Sequence, residues 1–247
     1  MGASRELSEL GSVVVVNNGN IGIGVSPAGT SAFELKAGTT SIAPLEFNSG
    51  TNTTLAVSGT IEYDGKVFYA TPQGVQRGVI PGAQFFRLDS GLAGANVNTA
   101  QNIFGVGVTL SANTVYAFEA QYALTKTAGT NSHNISSSFA GTAGINSIQY
   151  ETFVITGSTF PVYDTGASGG STNVASSSTI STNITTATVN RTFVVKGIVS
   201  INTEGTFIPQ YTLSAAPGGA YTTVANSYMM IYPIGISGAN TSIGTWA

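Results

Sequence analysis

Cysteine is absent from this sequence, and charged residues are scarce. The 247 residues include no cysteine, 8 lysines and arginines together, and 11 aspartates and glutamates, which gives a net charge of −3. Without cysteine the chain has no disulfide framework, thiolate nucleophile or cysteine-ligated metal. Nucleic-acid binding depends on clustered lysine and arginine, and so few cations provide no such cluster. We therefore expect no nucleic-acid partner.

Long apolar segments are missing as well. The longest aliphatic run is the valine stretch at residues 13–16, which is far shorter than the roughly 20 residues of a membrane-spanning helix. The first residues, MGASRE, lack the apolar core of a signal peptide, and Glu6 stands where a myristoylation motif has serine or threonine. We expect a protein made in the cytoplasm, without lipidation or membrane insertion.

Catalytic and metal-binding residues are few. His133 is the single histidine, which excludes a multi-histidine metal site within one chain, and its surroundings, NSHN, predict a solvated turn. Glu62 and Asp64 supply too few oxygen ligands for Ca²⁺. The candidates for the acid and base of a glycosidase are Glu119, Glu151, Asp164 and Glu204. Nothing in the sequence indicates that two of them converge, so we expect no catalytic residue, metal or cofactor.

The residues that are present indicate an all-β fold. The sequence is 42% hydrophobic with 31 glycines, and short strand-like runs alternate with turns rich in glycine, asparagine, serine and threonine. Apolar and polar positions alternate most clearly where one face holds Tyr116, Phe118, Ala120, Tyr122 and Leu124. Seven or more such strands between residues 81 and 247, without a convincing helix, predict a jelly-roll-like β-sandwich.

Two predicted strands carry apolar residues on both faces. If Phe193, Val195, Tyr228 and Met230 face the core, the outward positions of the same strands are Val194, Ile198, Met229 and Ile231. Burial of both faces is expected where another subunit covers the sheet. We therefore predict that these four outward residues line the interface of a homo-oligomer. A loop folded over the outer side of the sheet is the alternative.

The N-terminal peptide is predicted to dock on another protein. Residues 1–16 include Arg5, Leu7 and Leu10, and a helix of this length is marginal in water by itself. Such a peptide gains order only on a partner surface. A disordered terminus is the alternative.

Residues 17–80 contain runs of only three to five strand-forming residues. Asn-Gly at residues 18–19 and Asp-Gly at residues 64–65 are hairpin turn signals. Strands this short bury little surface and are marginal unless they pack on partners. The segment is therefore predicted to form a shaft in which several chains intertwine.

The most polar part of the distal region is residues 157–189. A long loop of this kind in a compact domain is usually functional or mobile. It contains Phe160, Tyr163 and Asp164, and a sugar stacks its ring on aromatic side chains while its hydroxyls bond to a carboxylate. We predict a receptor-binding role for these three residues, with an ordinary flexible loop as the alternative.

Several segments resemble phage tail-fibre and related virion structural proteins, notably those of marine and cyanobacterial phages. The N-terminal segment ASRELSELG at residues 3–11 resembles fibre tips, and NGNIGIG at residues 18–24 resembles the element that begins fibre shafts. Further similar segments are APLEF (43–47), GTIEYDG (59–65), RGVIP (77–81) and GTFIPQY (205–211) with the region that follows it to residue 235. The resemblance covers nearly the whole chain, but its motifs are structural ones.

The resemblance implies a homotrimeric virion appendage on the phage tail. Residues 1–16 would anchor it to a tail adaptor, nozzle or other virion protein, residues 17–80 would form the trimeric shaft, and residues 81–247 would form a distal β-sandwich. The distal domain would contact a glycan or receptor on the host surface, where three weak sites on one knob give avidity. Two alternatives are a capsid decoration protein and, in the enzyme class, a polysaccharide depolymerase.

Overall fold

A computed structural model describes residue 11 and residues 13–156, 178–238, 240 and 242–246 of the chain. The secondary-structure elements in these residues are β-strands, which confirms the all-β prediction. The strands are β1 (Val14–Asn17), β2 (Asn20–Ile23), β3 (Phe33–Leu35), β4 (Thr60–Tyr63), β5 (Phe68–Thr71), β6 (Gly78–Ile80), β7 (Gln84–Arg87), β8 (Leu92–Ala93), β9 (Gln101–Asn102), β10 (Val108–Leu110), β11 (Thr114–Lys126), β12 (His133–Ala140), β13 (Gly144–Thr156), β14 (Ser178–Ile184), β15 (Val189–Thr203), β16 (Gly205–Leu213), β17 (Thr222–Thr223) and β18 (Tyr228–Ile236).

The chain divides into two compact units, Met1–Ser49 and Gly50–Ala247. The sequence-based prediction instead places a boundary at residue 80, between the short strand-forming runs of residues 17–80 and the distal domain. Strands β4, β5 and β6 belong to the same unit as the longer strands that follow them.

The first unit contains a small sheet with the order β1-β2-β3. β1 and β2 are antiparallel, and the turn between them holds Asn18 and Gly19 at φ angles of 52° and 82°. A type I′ hairpin turn requires positive φ at both central positions, and Asn-Gly meets this requirement readily. The predicted Asn-Gly turn is confirmed. β3 pairs with β2 in parallel.

The second unit begins with the small sheet β4-β5-β6. In the turn between β4 and β5, Oδ1 of Asp64 accepts hydrogen bonds of 2.8 Å from the amides of Lys66 and Val67. Gly65 has a φ of 89°, in the left-handed region. The predicted Asp-Gly hairpin is therefore confirmed.

The remaining strands form a β-sandwich of two sheets. In the large sheet β13 pairs with β15, β15 with β11, and β11 with both β18 and β17; β7 extends it beside β18, and β8 beside β17. The small sheet has the order β10-β16-β12-β14, with β9 added beside β16. Every connection from β11 to β16 passes from one sheet to the other. Double-sheet jelly rolls have this kind of connectivity.

The core lies between the two sheets. The alternating face of β11 is buried as predicted, and it consists of Tyr116, Phe118, Ala120, Tyr122 and Leu124. The ring of Phe118 meets the rings of Phe139 and Phe207 from the small sheet edge-on, with centroid distances of 5.2 and 5.6 Å. Gly197 of β15 makes room for this ring, because a Cβ atom there would lie 2.7 Å from Cζ of Phe118.

Candidate functional site: the outer face of the large sheet

The side of the large sheet that faces away from the core forms a continuous surface, which we call the outer face. Five strands contribute to it in the order β7-β18-β11-β15-β13. Their pairing register aligns Phe85, Met230, Glu119, Lys196 and Glu151 in one row across the sheet. The row is apolar on β7 and β18 and charged on β11, β15 and β13.

Apolar and aromatic side chains lie on both sides of this row. The neighbouring rows include Tyr232 and Ile198 on one side and Tyr228, Val194 and Phe153 on the other. Phe85 stacks on Tyr228 with ring centroids 5.5 Å apart, yet it remains 59% exposed. Ile198 is 49% exposed and Phe153 is 40% exposed. Clustered exposed apolar groups of this kind mark a surface that contacts another molecule.

The charged part of the row is an ion pair with a second carboxylate beside it. Nζ of Lys196 lies 3.3 Å from Oε2 of Glu119, and Glu151 is the register partner of Lys196 on the other side. The backbones of the two glutamates are two strand spacings apart, roughly 10 Å. The structure thus brings together two of the four candidate carboxylates. In a glycosidase the two carboxyl groups lie on either side of a bound sugar. In this row Lys196 lies between Glu119 and Glu151 instead.

The orientation of β18 differs from the sequence-based prediction. Met229 and Ile231 are not outward residues: they are 6% and 2% exposed and lie in the core, opposite Ala120 and Phe118 of β11. The alternate positions, which include Tyr228 and Met230, face outwards instead. A tyrosine tolerates this position because its hydroxyl can stay solvated or bind a charged neighbour.

The predicted orientation of β15 is correct. Val194 is half-buried on the outer face, and Ile198 is exposed there. Their contact with another subunit stays a prediction.

At the β7 edge of the sandwich, the two sheets leave an apolar opening between them, which we call the edge cleft. It has a volume of about 340 Å³, and its lining includes Phe85, Phe86, Phe104, Val106, Phe207, Met229 and Ile231. Phe86 from the large sheet meets Phe104 edge-on at a centroid distance of 6.0 Å. Phe86 and Val106 are nevertheless 40% and 47% exposed. The cleft is therefore an accessible apolar recess.

A buried ammonium group lies elsewhere in the sandwich, near the end of β11. Lys126 is 3% exposed, and its Nζ donates hydrogen bonds of 2.6 Å to the carbonyls of Gly129 and Thr186 and one of 3.3 Å to that of Ala128. Burial lowers the pKa of Lys126. These bonds tie the loop after β11 to the loop after β14. Inner and outer positions alternate along β11, and position 126 falls on the inner face. This alternation is the signal in the sequence that predicts the burial of Lys126.

The predicted solvated-turn role of His133 is wrong. Its side chain is 1% exposed; Nδ1 lies 2.7 Å from the carbonyl of Asn131 and Nε2 lies 2.8 Å from the hydroxyl of Tyr221. A carbonyl can only accept, so Nδ1 carries the proton and Nε2 accepts from Tyr221 in the neutral ring. Burial lowers the pKa of His133, and the nearby charge of Lys126 lowers it further.

The other sequence candidates have structural roles or lie outside the described residues. Glu62 accepts a 2.7 Å hydrogen bond from Nε of Arg77, and hydrogen bonding by Thr53 and by Arg77 lowers the pKa of Glu62. Glu204 lies between β15 and β16. Six of the predicted site residues lie outside the described residues, namely Arg5, Leu7, Leu10, Phe160, Tyr163 and Asp164.

Metal-binding clusters and membrane-spanning helices are both absent from the described residues. No group of three or more His, Asp or Glu side chains in these ranges is placed to hold a metal ion. Nor do the same ranges contain a helix that is long and apolar enough to cross a membrane.

Comparison with known proteins identified no family. No family model matches the chain, and no curated protein matches it. One similar solved structure is that of infectious bursal disease virus, Gx strain, with 8% identity and a TM-score of 0.18 over 76% of this chain and 49% of that chain. The chain thus spans about half the length of that viral chain. A similarity this low establishes no relationship.

Proposed function

We propose that the protein is a structural component of a phage virion: a homotrimeric tail fibre that attaches the particle to the host surface. The observation that carries this proposal is the outer face of the large sheet. Phe85, Ile198 and Phe153 expose large apolar side chains on that one face, and a soluble domain normally covers such a surface with a partner. The simplest partner is a further copy of the same chain.

The N-terminal part of the chain supports the same conclusion. Between residues 33 and 61 several large apolar side chains are more than half exposed, namely Phe33, Ile42, Leu45, Leu55, Val57 and Ile61. The strands in this region have three or four residues. Phe33 and Ile61 lie on these strands, and the other four residues lie in the segment between them. Strands this short bury little surface within one chain. Winding of three chains into a shaft over residues 17–80 would cover them.

The two ends of the fibre have different partners in this proposal. Residues 1–16, with Arg5, Leu7 and Leu10, bind a tail adaptor, nozzle or other virion protein. The distal sandwich contacts a host glycan or receptor through Phe160, Tyr163 and Asp164. The resemblance to phage fibre proteins and the all-β sandwich support this assignment.

The position of the chain in the virion tests the proposed function. A reconstruction of the particle should place this chain on the tail, and deletion of residues 1–12, which spares β1, should leave a folded trimer that no longer incorporates. The full-length protein, supplied in the same way, is the control. Density on the capsid lattice would identify a decoration protein instead. Release of reducing sugar from host polysaccharide by the purified protein would favour a depolymerase.

A further inference from the structure

A polar pocket lies near the start of the second unit, apart from the outer face and the edge cleft. The segment before β4, the connection between β5 and β6, and residues 242–245 enclose it, and we call it the Arg77 pocket. It has a volume of about 300 Å³, and its lining includes Asn52, Thr54, Val75, Arg77, Ser242 and Thr245. Ligand pockets have volumes of roughly 300–1,000 Å³. This pocket therefore suits a small ligand.

Arg77 fixes one wall of the pocket. Its Nε donates a 2.7 Å hydrogen bond to Oε2 of Glu62, and its Nη2 donates bonds of 2.7 and 2.9 Å to the carbonyl and Oγ1 of Thr53. The amide and hydroxyl of Thr53 in turn donate to Oε1 of Glu62. The guanidinium is thus paired with a carboxylate. The wall is held in one geometry and carries no net charge.

The neighbouring residue, Asn52, contributes an acceptor without a partner. Its Oδ1 is buried and has no hydrogen-bond partner among the described residues. A buried polar atom in that state costs free energy, and a ligand that donates a hydrogen bond to it removes the cost. Thr54, Ser242 and Thr245 add hydroxyl groups to the lining, and a hydroxyl can both donate and accept.

An exposed indole lies beside the same pocket. Trp246 directly follows Thr245, and 83% of its surface is exposed. An ideal Cβ atom on Gly244, which also lines the pocket, would lie 3.5 Å from the carbonyl oxygen of Arg77 and 3.8 Å from Nε1 of Trp246. Tryptophan is largely buried in most proteins. An indole exposed next to a polar pocket offers an apolar surface on which a sugar ring can stack.

The lining selects among ligand classes by charge and hydrogen bonding. A carboxylate ligand would add a negative charge where Arg77 is already paired with Glu62, and an ammonium ligand would face the guanidinium. An apolar ligand would leave Oδ1 of Asn52 unpaired. A neutral sugar meets all the requirements, because its hydroxyls donate and accept while the carbon face of its ring packs on apolar groups.

We infer that the Arg77 pocket binds a neutral monosaccharide unit, with its hydroxyls on Asn52 and the neighbouring hydroxyl groups and its ring against Trp246. This site would be a second glycan contact, separate from the loop of residues 157–189, and in that respect the inference rests on the proposed function. The pocket is formed by a single chain, so sugar binding itself does not depend on assembly.

The fluorescence of Trp246 tests the inference, because it is the single tryptophan of the chain. The full-length protein is titrated separately with D-glucose, D-galactose, D-mannose and N-acetyl-D-glucosamine at millimolar concentrations. D-glucuronate is the charged comparison. We expect a saturable change in tryptophan emission with at least one neutral sugar and none with glucuronate.

Two variants tie the response to the pocket. Asn52→Ala removes the unpaired acceptor and should weaken binding by about fivefold or more. Ser242→Phe places a large side chain in the lining and should abolish binding without altering β4, β5 or β6. The matched control is Asn98→Ala, at an exposed asparagine outside the lining, and it should bind as the natural chain does. Circular dichroism establishes that each variant is folded.

Three results would overturn the inference. One is the lack of a saturable response to all four neutral sugars. Another is a response that both Asn52→Ala and Ser242→Phe retain, since the sugar would then bind elsewhere. The third is equal binding of glucuronate, which would contradict a neutral ligand. Each of these results leaves the position of the chain in the virion and its mass in solution to their own tests, so a failure here is distinguishable from a failure of the proposed function.

Discussion

Replacing Lys126 by methionine should destabilise the sandwich markedly. Methionine retains most of the apolar stem, so the substitution removes the ammonium without leaving a large cavity. The lost interactions are the two 2.6 Å hydrogen bonds to the carbonyls of Gly129 and Thr186 and the longer one to Ala128. The loops after β11 and β14 would then lose their common donor.

The expected cost follows from the strength of these bonds. A hydrogen bond to a charged group contributes about 1.5–3 kcal/mol to stability. Water can reach part of these loops and re-form some of the lost bonds, so we expect a decrease of about 2–3 kcal/mol in the free energy of unfolding. For a domain of this size that corresponds to a Tm lower by about 4–12 °C.

The matched control is Lys66→Met. Lys66 is an exposed lysine in the turn between β4 and β5, and surface substitutions usually change stability by less than about 0.5 kcal/mol. Both variants are unfolded in urea at the same protein concentration as the natural chain, because stability that depends on assembly varies with concentration. Equal midpoints for the two variants would refute the reasoning about the buried ammonium.

Two further predictions concern the sandwich. Because the pKa of His133 is lowered in the fold, the unfolded chain binds a proton that the folded chain does not, and stability should fall as pH drops below about 6.5. The free energy of unfolding in urea is measured at about pH 7 and about pH 5.5. It should decrease between these pH values in the natural chain and decrease less in His133→Phe. Equal decreases in the two proteins would exclude His133 as the cause. Gly141→Ala should lower the free energy of unfolding by more than about 2 kcal/mol. Gly141 has a φ of 121°, and a Cβ atom there would lie 2.0 Å from the carbonyl oxygen of Thr206. Gly59→Ala, with a φ of 84° and open space around its Cβ position, is the control, and a thermal melt in which both variants lose the same stability would contradict the steric explanation.

Local sequence patterns predicted the orientation of a strand where only one of its faces is apolar. The two-residue alternation identified the core face of β11, and two glycine-containing turn signals located the first two hairpins. β18 was assigned the wrong orientation because both of its faces are apolar or aromatic, so alternation alone does not select the inner one. Pairing with β11 decides it, by placing Met229 opposite Ala120 and Ile231 opposite Phe118.

Long-range contacts decided the features that local patterns missed. The partner of His133 is Tyr221, 88 residues away in sequence, so a turn-like neighbourhood gave no sign of burial. Glu119, Lys196 and Glu151 come from three strands and meet only through sheet register. The edge cleft likewise depends on where the two sheets part, which the sequence of one strand does not specify.

The mass of the purified protein in solution tests the central claim most directly. Light scattering at micromolar concentration should give three times the chain mass of 25.1 kDa. Ile198→Asp, which places a charge on the outer face, should lower this mass to that of a single chain, because an unpaired charge in an apolar interface is strongly unfavourable. The same change at Thr212, on the small sheet, should leave the trimer intact. A monomeric natural chain, or a trimer that tolerates aspartate at position 198 unchanged, would contradict assembly through the outer face.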